Sequence, residues 1–183
     1  MEKQPSSYPN ADNWFVRRIH QIKTIVRIVF GVFWLIDGVL KFSPNLVQAF
    51  PDMVRSAAAG QPSWLAGWFS SWASVVSSNP SFFVYSIGIV ELLIAFCIIT
   101  GFMRKITYLV TFFISLLIWS VPEGFGGPYG PGSTDIGTGV VYALTSFLLL
   151  IINATSGTSR YSLDRFIESR FPAWKRIAEV SQK

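Results

Sequence analysis

The sequence contains too few charged residues to cover the surface of a soluble protein. Only 14% of its 183 residues are charged and 51% are hydrophobic, whereas about 25% are charged in a typical soluble domain. A soluble helical bundle would also show a polar stripe every three or four residues, but the run 109–121 contains no charge. The composition therefore excludes a soluble domain and indicates an integral membrane protein.

Side chains that hold cofactors are also scarce. Cys97 is the only cysteine, so the chain has neither an intramolecular disulfide nor a cysteine-based metal spacing. His20 is the only histidine, which excludes a bis-histidine haem within one chain. Neither GxGxxG nor GxxxxGK[ST] fits the sequence. We therefore predict that the chain binds no metal, haem or nucleotide.

Four apolar runs have, or nearly have, the length of a membrane-spanning helix, which needs about 20 residues. The predicted fold is an all-α, integral membrane four-helix bundle. An arm at 1–24 precedes the bundle and a tail at 154–183 follows it. Pro122 ends the third span because proline cannot continue a helix. The predicted membrane domain is 25–153, with spans at 25–42, 82–102, 106–122 and 136–153.

Basic residues are divided unevenly between the two sides of such a bundle. The arm up to Arg27, the turn 103–105 and the tail contain 13 of the 15 lysines and arginines, and the other side holds Lys41 and Arg55. Because basic residues stay in the cytoplasm during insertion, both termini are predicted to be cytoplasmic in a prokaryotic inner membrane. The net charge of +5 flanks apolar runs, which favours lipid over nucleic acid as its partner.

Two segments outside the spans have amphipathic helical patterns. In the outer loop 43–81, apolar residues recur at helical spacing from Trp64 to Val76. This pattern predicts an outer interfacial helix in the headgroup layer, or a cap over the bundle. The tail segment 161–177 alternates apolar and basic residues. It predicts a C-terminal amphipathic helix attracted to anionic lipid, or a surface that docks a cytoplasmic partner.

Besides Arg27 at the start of the first span, three charged residues lie deeper within the predicted spans, where such groups usually have a function. Asp37 and Lys41 are one helical turn apart and are predicted to form an ion bridge, either self-neutralising or functional. Glu91 lies near the expected bilayer midplane, with no basic residue close by on its own helix. It must pair with another helix, share the Asp37–Lys41 bridge or stay protonated. Glu91 is predicted to serve in a proton relay, to bind a ligand or to form a packing hydrogen bond.

The segment 121–138 contains a cluster of glycines and prolines between the third and fourth spans. Its polar residues 133–135 can cap the fourth span, so a plain capped turn is one interpretation. The other is a lid over a binding site at the outer mouth of the bundle. The aromatic walls of that site would be Trp119, Phe125, Tyr129 and Tyr142, and its acids would be Glu123 and Asp135.

Three motifs resemble those of the DoxX-like membrane protein family. They are Gly31 with Gly38-Val39-Leu40-Lys41-Phe42, Glu91 followed by Gly101-Phe102-Met103-Arg104, and Glu123-Gly124 with Gly132-Ser133-Thr134-Asp135-Ile136-Gly137. The last is similar to the DoxD branch, the membrane subunit assigned to thiosulfate:quinone oxidoreductase. The resemblance covers about 26–153.

The resemblance implies a membrane subunit that passes electrons from a thiosulfate-like sulfur compound to membrane quinone. A DoxA-like second subunit or a larger membrane complex would be its partner. Glu91, Asp37 and Lys41 would be the catalytic residues. The substrate- or quinone-binding residues would be Trp119, Glu123, Tyr129, Asp135, Tyr142 and Arg104. The alternatives are a non-catalytic accessory subunit that stabilises a respiratory-type complex, and a small transporter.

Overall fold

The structure is a computed structural model that describes residues 11–127, 135–157 and 161–180. All regular structure in these residues is helical. Short 3₁₀ turns occur at Ser63–Leu65, Gly124–Gly126 and Pro172–Trp174. The α-helices are α1 (Ala11–Leu40), α2 (Pro44–Ser56), α3 (Ala66–Ser78), α4 (Pro80–Thr100), α5 (Arg104–Ser120), α6 (Thr138–Ser156), α7 (Leu163–Arg170) and α8 (Lys175–Ala178).

The four long helices form two closely packed pairs, α1 with α4 and α5 with α6, which meet mainly between α4 and α5. Small residues allow the close packing within each pair. A Cβ atom added at Gly88 of α4 would lie 2.8 Å from the Cβ of Lys41, the residue that follows α1. At Gly139 of α6 it would lie 2.8 Å from the backbone oxygen of Ser115 on α5.

The observed α4, α5 and α6 begin and end within three residues of the predicted spans 82–102, 106–122 and 136–153. The first helix differs more, because α1 begins at Ala11, inside the predicted arm 1–24. Its first residues are polar, yet no proline or glycine interrupts them after Pro9. The helix can therefore extend beyond its apolar part.

Among the described residues, two helices are both long and apolar enough to cross a membrane, Pro80–Thr100 and Thr138–Thr155. Only 33% and 28% of these segments are buried within the protein, whereas the core helix of a soluble protein is mostly buried. The other two long helices fall short for separate reasons. α1 carries Lys23, Arg27 and Asp37, and α5 has only 17 residues.

α2 and α3 cover the end of the bundle at which α4 begins, which we call the loop end. Phe50 and Val54 of α2 pack with Val76 of α3 and Val84 of α4 in one buried cluster. The indole Nε1 of Trp68 donates a hydrogen bond to the backbone oxygen of Ser120 (3.1 Å). Of the two predicted arrangements for α3, the cap over the bundle therefore agrees with these contacts. Helix α2 was not predicted, because Pro51 obscures its pattern.

The opposite end of the bundle, at the turn between α4 and α5, is the tail end, and the tail docks there in an unexpected way. The predicted helix at 161–177 is broken at Phe171 into α7 and α8. Its buried residues are acidic: Asp164 is fully buried and Glu168 is 8% exposed. The apolar Phe166, in contrast, is 66% exposed. The tail docks through its acids because they pair with a buried arginine, as described below.

Candidate functional site

An ion pair between the residue that follows α1 and a residue of α4 lies inside the bundle near the loop end. The Nζ of Lys41 lies 3.3 Å from Oε2 of Glu91, in an ion pair without hydrogen-bond geometry. The Glu91 side chain is 1% exposed and that of Lys41 is 21% exposed. The predicted Asp37–Lys41 bridge is therefore wrong for the described residues. Lys41 pairs with Glu91 instead. The reason is geometric, since Gly88 brings α4 directly against the base of Lys41.

Asp37 lies one turn before Lys41 on α1 and faces α6. The Asp37 and Tyr142 side chains line the same small cavity as Glu91. The packing of the helix pairs thus brings together four of the predicted site residues, namely Asp37, Lys41, Glu91 and Tyr142.

Glu123 fixes the start of α6. Its Oε2 accepts a hydrogen bond from the backbone N–H of Gly139 (2.8 Å), and its Oε1 accepts one from the Thr138 hydroxyl. The predicted caps were the residues 133–135. Of these, Asp135 accepts a hydrogen bond from the N–H of Gly137 (2.7 Å), one residue before the helix. Ser133 and Thr134 lie outside the described residues. A carboxylate from the preceding loop therefore caps the helix.

The aromatic residues of the loop end pack against one another. Trp119 donates its Nε1 hydrogen to the backbone oxygen of Ile136 (2.8 Å) and contacts Phe125 edge to face, with ring centroids 5.3 Å apart. Phe125 also contacts Phe69 of α3 at 6.3 Å. These contacts hold the loop against the cap. Tyr129, the remaining predicted aromatic wall, lies outside the described residues.

A cavity of about 120 Å³ lies among the ionisable side chains, and we call it the polar pocket. Two buried atoms on its wall have no hydrogen-bond partner among the described residues: Nε1 of Trp34, a donor, and Oε2 of Glu91, an acceptor. Trp34 is 1% exposed. Sequence reasoning missed Trp34, although it lies three residues before Asp37 and therefore on the same helix face. The polar pocket is lined by Trp34, Asp37, Lys41, Glu91, Ser115, Ile118, Glu123, Thr138, Gly139 and Tyr142.

A larger cavity of about 430 Å³, the apolar cavity, lies next to the polar pocket between the helix pairs and the cap. Its walls are almost entirely hydrocarbon and come from α2, α3, α4 and α5, with Phe83 and Ile87 on α4 and Leu117 on α5. Lys41, Ile118 and Glu123 line both cavities. The ion pair therefore stands at the boundary between a polar and an apolar compartment.

Arg104, which was predicted to bind substrate or quinone, lies at the tail end. It is eleven residues from Ser115 along α5, which corresponds to about 16 Å. It is 1% exposed and donates hydrogen bonds to three side chains. These bonds are Nε to Asp164 (2.8 Å), Nη1 to Asn153 (3.0 Å) and Nη2 to Glu168 (3.3 Å). Arg104 therefore belongs to the docking of the tail and is not part of the loop-end site.

Two further basic residues are buried at the tail end. Arg27 donates to the backbone oxygen of Tyr161 (2.6 Å), and Lys23 donates to that of Gly157 (2.5 Å). Burial, together with the charges of Arg104 and Arg27, lowers the pKa of Lys23 to about 8. Lys23 lies before the predicted span. These residues close the tail end, and no feature of the sequence predicts that they are buried.

The fold and these two clusters define an all-α membrane protein with ionisable groups buried inside its helix bundle. The family profile of DoxX matches residues 22–122, which is more than half of the chain. The chain belongs to the DoxX family. The match contains Asp37, Lys41 and Glu91 and ends just before Glu123, and it does not resolve the DoxD branch. No curated protein and no solved structure matches the chain.

Proposed function

We propose that the chain is a four-span protein of a prokaryotic inner membrane, with α1, α4, α5 and α6 crossing the bilayer and both termini in the cytoplasm. The 13 basic residues of the arm, the turn 103–105 and the tail support this orientation. Lys23 and Arg27 make α1 less apolar than an ordinary membrane-spanning helix. Both side chains are buried within the protein at its tail end, so they are shielded from lipid. The loop end then faces outward.

We further propose that the loop-end cavities bind a quinone, and that the chain is the membrane subunit of an oxidoreductase. The observation that carries this proposal is the Lys41–Glu91 ion pair at the boundary between the polar pocket and the apolar cavity. Binding sites for lipid-soluble ligands are mostly apolar with a few convergent polar groups. The apolar cavity lies between the two helix pairs, where a ligand can enter from the bilayer.

The cavity volumes indicate where a quinone ring would lie. The polar pocket, at about 120 Å³, is smaller than the cavity of about 150 Å³ that holds one benzene molecule. A substituted ring therefore fits the apolar cavity of about 430 Å³. Its carbonyl edge would face Lys41, and its hydrocarbon tail would lie against Phe83 and Leu117. When bound, quinone accepts two electrons and two protons.

The chain's own residues would bind the ring and move the proton. Lys41 donates a hydrogen bond to the carbonyl oxygen of the ring, where negative charge develops on reduction. Glu91 holds Lys41 in place through the ion pair and can gain or lose a proton beside it. Asp37 and Tyr142 form the opposite wall of the polar pocket. The electron donor, in this proposal, is a thiosulfate-like sulfur compound that reacts on a DoxA-like partner subunit.

Ligand binding tests this proposal directly. The chain, purified in lipid nanodiscs, is titrated with a short-tailed quinone while quenching of its tryptophan fluorescence is recorded. Lys41→Met is expected to weaken binding about tenfold or more, because a hydrogen bond to a charged group contributes about 1.5–3 kcal/mol. Arg55→Met is the matched control. Arg55 is the other basic residue of the loop end, and it lines neither the polar pocket nor the apolar cavity. Equal quinone affinity in both variants would refute the proposal.

A second candidate function is a non-catalytic accessory subunit that stabilises a larger membrane complex. The observation that favours it is the outer face of α1, on which Ile25, Val29, Ile36 and Val39 are each at least 47% exposed. This face can pack against another membrane helix as well as against lipid. Purification in mild detergent separates the two functions. Large subunits that co-purify with a chain unable to bind quinone would favour the accessory role.

A further inference from the structure

Two buried polar atoms in the polar pocket make no hydrogen bond to the described residues and have complementary chemistry, although one of them, Oε2 of Glu91, lies 3.3 Å from Lys41 Nζ in the ion pair. Trp34 Nε1 can only donate a hydrogen bond, and Oε2 of Glu91 can accept one. Both side chains are 1% exposed. A buried polar group without a hydrogen bond costs about 1–3 kcal/mol. Both atoms would be satisfied by a molecule that accepts from the indole and donates to the carboxylate.

Water meets this requirement, and the pocket is large enough for it. A volume of about 120 Å³ accommodates about four water molecules at about 30 Å³ each. The walls supply further polar partners in the hydroxyls of Ser115, Thr138 and Tyr142. Apolar cavities stay dry, but a polar cavity with several hydrogen-bonding groups holds water.

The pocket is closed toward the tail end. Each of the four long helices contributes buried apolar or aromatic side chains to one cluster on that side, among them Phe30 of α1, Ile94 of α4, Tyr108 of α5 and Leu149 of α6. Phe30 and Leu149 are 4% and 2% exposed. The pocket is bounded toward the loop end by Glu123, whose hydrogen bond with the exposed Thr138 lies at the surface.

We propose that the polar pocket holds a short chain of water molecules that carries protons between Glu91 and Glu123, so that Glu91 exchanges protons only with the loop end. A proton leaves the Glu91 carboxyl for the first water while the last water passes one to the Glu123 carboxylate, and Glu123 releases it to solvent. The other charged and titratable groups that face this path are Asp37 of α1, Lys41 directly after α1, and Tyr142 of α6. This inference rests on the proposed function in one respect, that the protons carried along this path are the ones taken up by the reduced quinone.

Infrared spectroscopy of the full-length chain in nanodiscs tests this route. The stretching band of a protonated carboxyl group is assigned to Glu91 if the band is lost in Glu91→Gln. The time course of the shift of this band after mixing with D₂O gives the rate of proton exchange at Glu91. In Glu123→Gln this rate is expected to fall about 100-fold, the lower end of the cost of removing a proton-transferring side chain. Gln keeps an oxygen that can accept from Gly139, so α6 remains capped.

Two further variants make the result decisive. Asp52→Asn is the matched control, because Asp52 is an exposed acid of the loop end that pairs with Arg55 and lies outside the polar pocket. Its exchange rate is expected to equal that of the wild type. Trp34→Phe keeps an aromatic ring beside Phe30 and Tyr142 but removes the donor that holds the first water, and it is expected to slow exchange as Glu123→Gln does.

Three results would overturn the proton route. They are equal rates in Glu123→Gln and Asp52→Asn, an unchanged rate in Trp34→Phe, and no carboxyl band that disappears in Glu91→Gln at any pH at which the chain stays folded. Failure of the quinone titration would leave this outcome unaffected, because the exchange experiment contains no quinone. Normal quinone binding with an exchange rate independent of Glu123 would refute the route alone.

Discussion

At the scale of single residues, the loop-end site depends on the unequal burial of Lys41 and Glu91. The carboxylate is 1% exposed, whereas the lysine side chain is 21% exposed and can extend toward the bilayer surface. Removing one partner from a buried pair is costly when the remaining charge cannot reach water. The two single substitutions are therefore expected to differ in their effect on stability.

Lys41→Met is expected to lower the free energy of unfolding by about 3 kcal/mol, because it leaves Glu91 buried without a counter-charge. Glu91→Gln is expected to cost about 1 kcal/mol, since Lys41 keeps partial access to solvent. The double variant is expected to be within about 1 kcal/mol of the wild type, as apolar or neutral replacements of buried pairs often are. Thermal unfolding in detergent measures all three, and strictly additive costs would contradict the pairing.

The sequence was sufficient to identify the ionisable residues of this site but not their partners. Asp37, Lys41 and Glu91 stand out because charges are rare within apolar runs. The pairing of Lys41 with Glu91 depends on how α1 is aligned against α4. The spacing of residues along one helix carries no information about this alignment. The role of Glu123 as the cap of α6 likewise depends on how a glycine-rich loop folds back.

At the scale of helices, glycines allow close packing within each of the two helix pairs, with Gly88 against Lys41 and Gly139 against Ser115 and Trp119. The positions of α4, α5 and α6 followed from apolar length and, at the end of α5, from Pro122, and these helices lie within three residues of the predicted ranges. Helix α2 was not predicted, because Pro51 obscures its pattern, and the predicted tail helix at 161–177 gave no sign of its break at Phe171, which depends on packing against the bundle. Gly139 provides the sharpest test of the packing between α5 and α6.

Gly139→Ala is expected to destabilise the protein by about 1–3 kcal/mol, the usual cost of overpacking a tight contact. The added methyl group would lie 2.8 Å from both the Ser115 oxygen and the Trp119 nitrogen, which are backbone atoms and cannot move aside alone. Gly67→Ala is the matched control, because a methyl group on that helical glycine would have no atom within 4 Å. Thermal unfolding that shows equal effects for both variants would contradict the described packing of α6 on α5.

The docked tail provides a second test at this scale. Asp164 accepts hydrogen bonds from the backbone N–H groups of Met103 (2.8 Å) and Arg104 (3.0 Å), from Arg104 Nε, and from Trp174 Nε1 (2.9 Å). Asp164→Asn leaves Arg104 with a buried charge that is only partly compensated, so the tail is expected to open more often.

Limited trypsin digestion measures this opening, because the exposed Arg165 and Arg170 lie on α7 and can be cleaved only when the helix unfolds. Asp164→Asn is expected to be cut there about tenfold faster or more, which corresponds to a loss of about 1.4 kcal/mol. Ser169→Asn, an exposed position on the same helix, is expected to be cut at the wild-type rate. Equal rates in the two variants would show that the Arg104 cluster does not hold the tail.

At the scale of the whole molecule, the unequal distribution of basic residues predicts the orientation in the membrane. In a chain with Cys97 replaced by alanine, a cysteine introduced at Ser63 is expected to react with a membrane-impermeant thiol reagent added to intact cells. A cysteine at Ser169 is expected to react only after the membrane is opened. Labelling of both positions from the same side would exclude the four-span arrangement.

Photolabelling with an azido-substituted quinone tests the central claim, that the two loop-end cavities together form a quinone site. The proposed binding mode predicts that the label attaches to α4 between Phe83 and Val90 and to α5 between Ile114 and Ile118. Excess unlabelled quinone is expected to compete for these positions. Lys41→Met is expected to reduce their labelling. A label that is spread over the exposed Phe147 and Leu148 of α6 and is insensitive to competing quinone would contradict it.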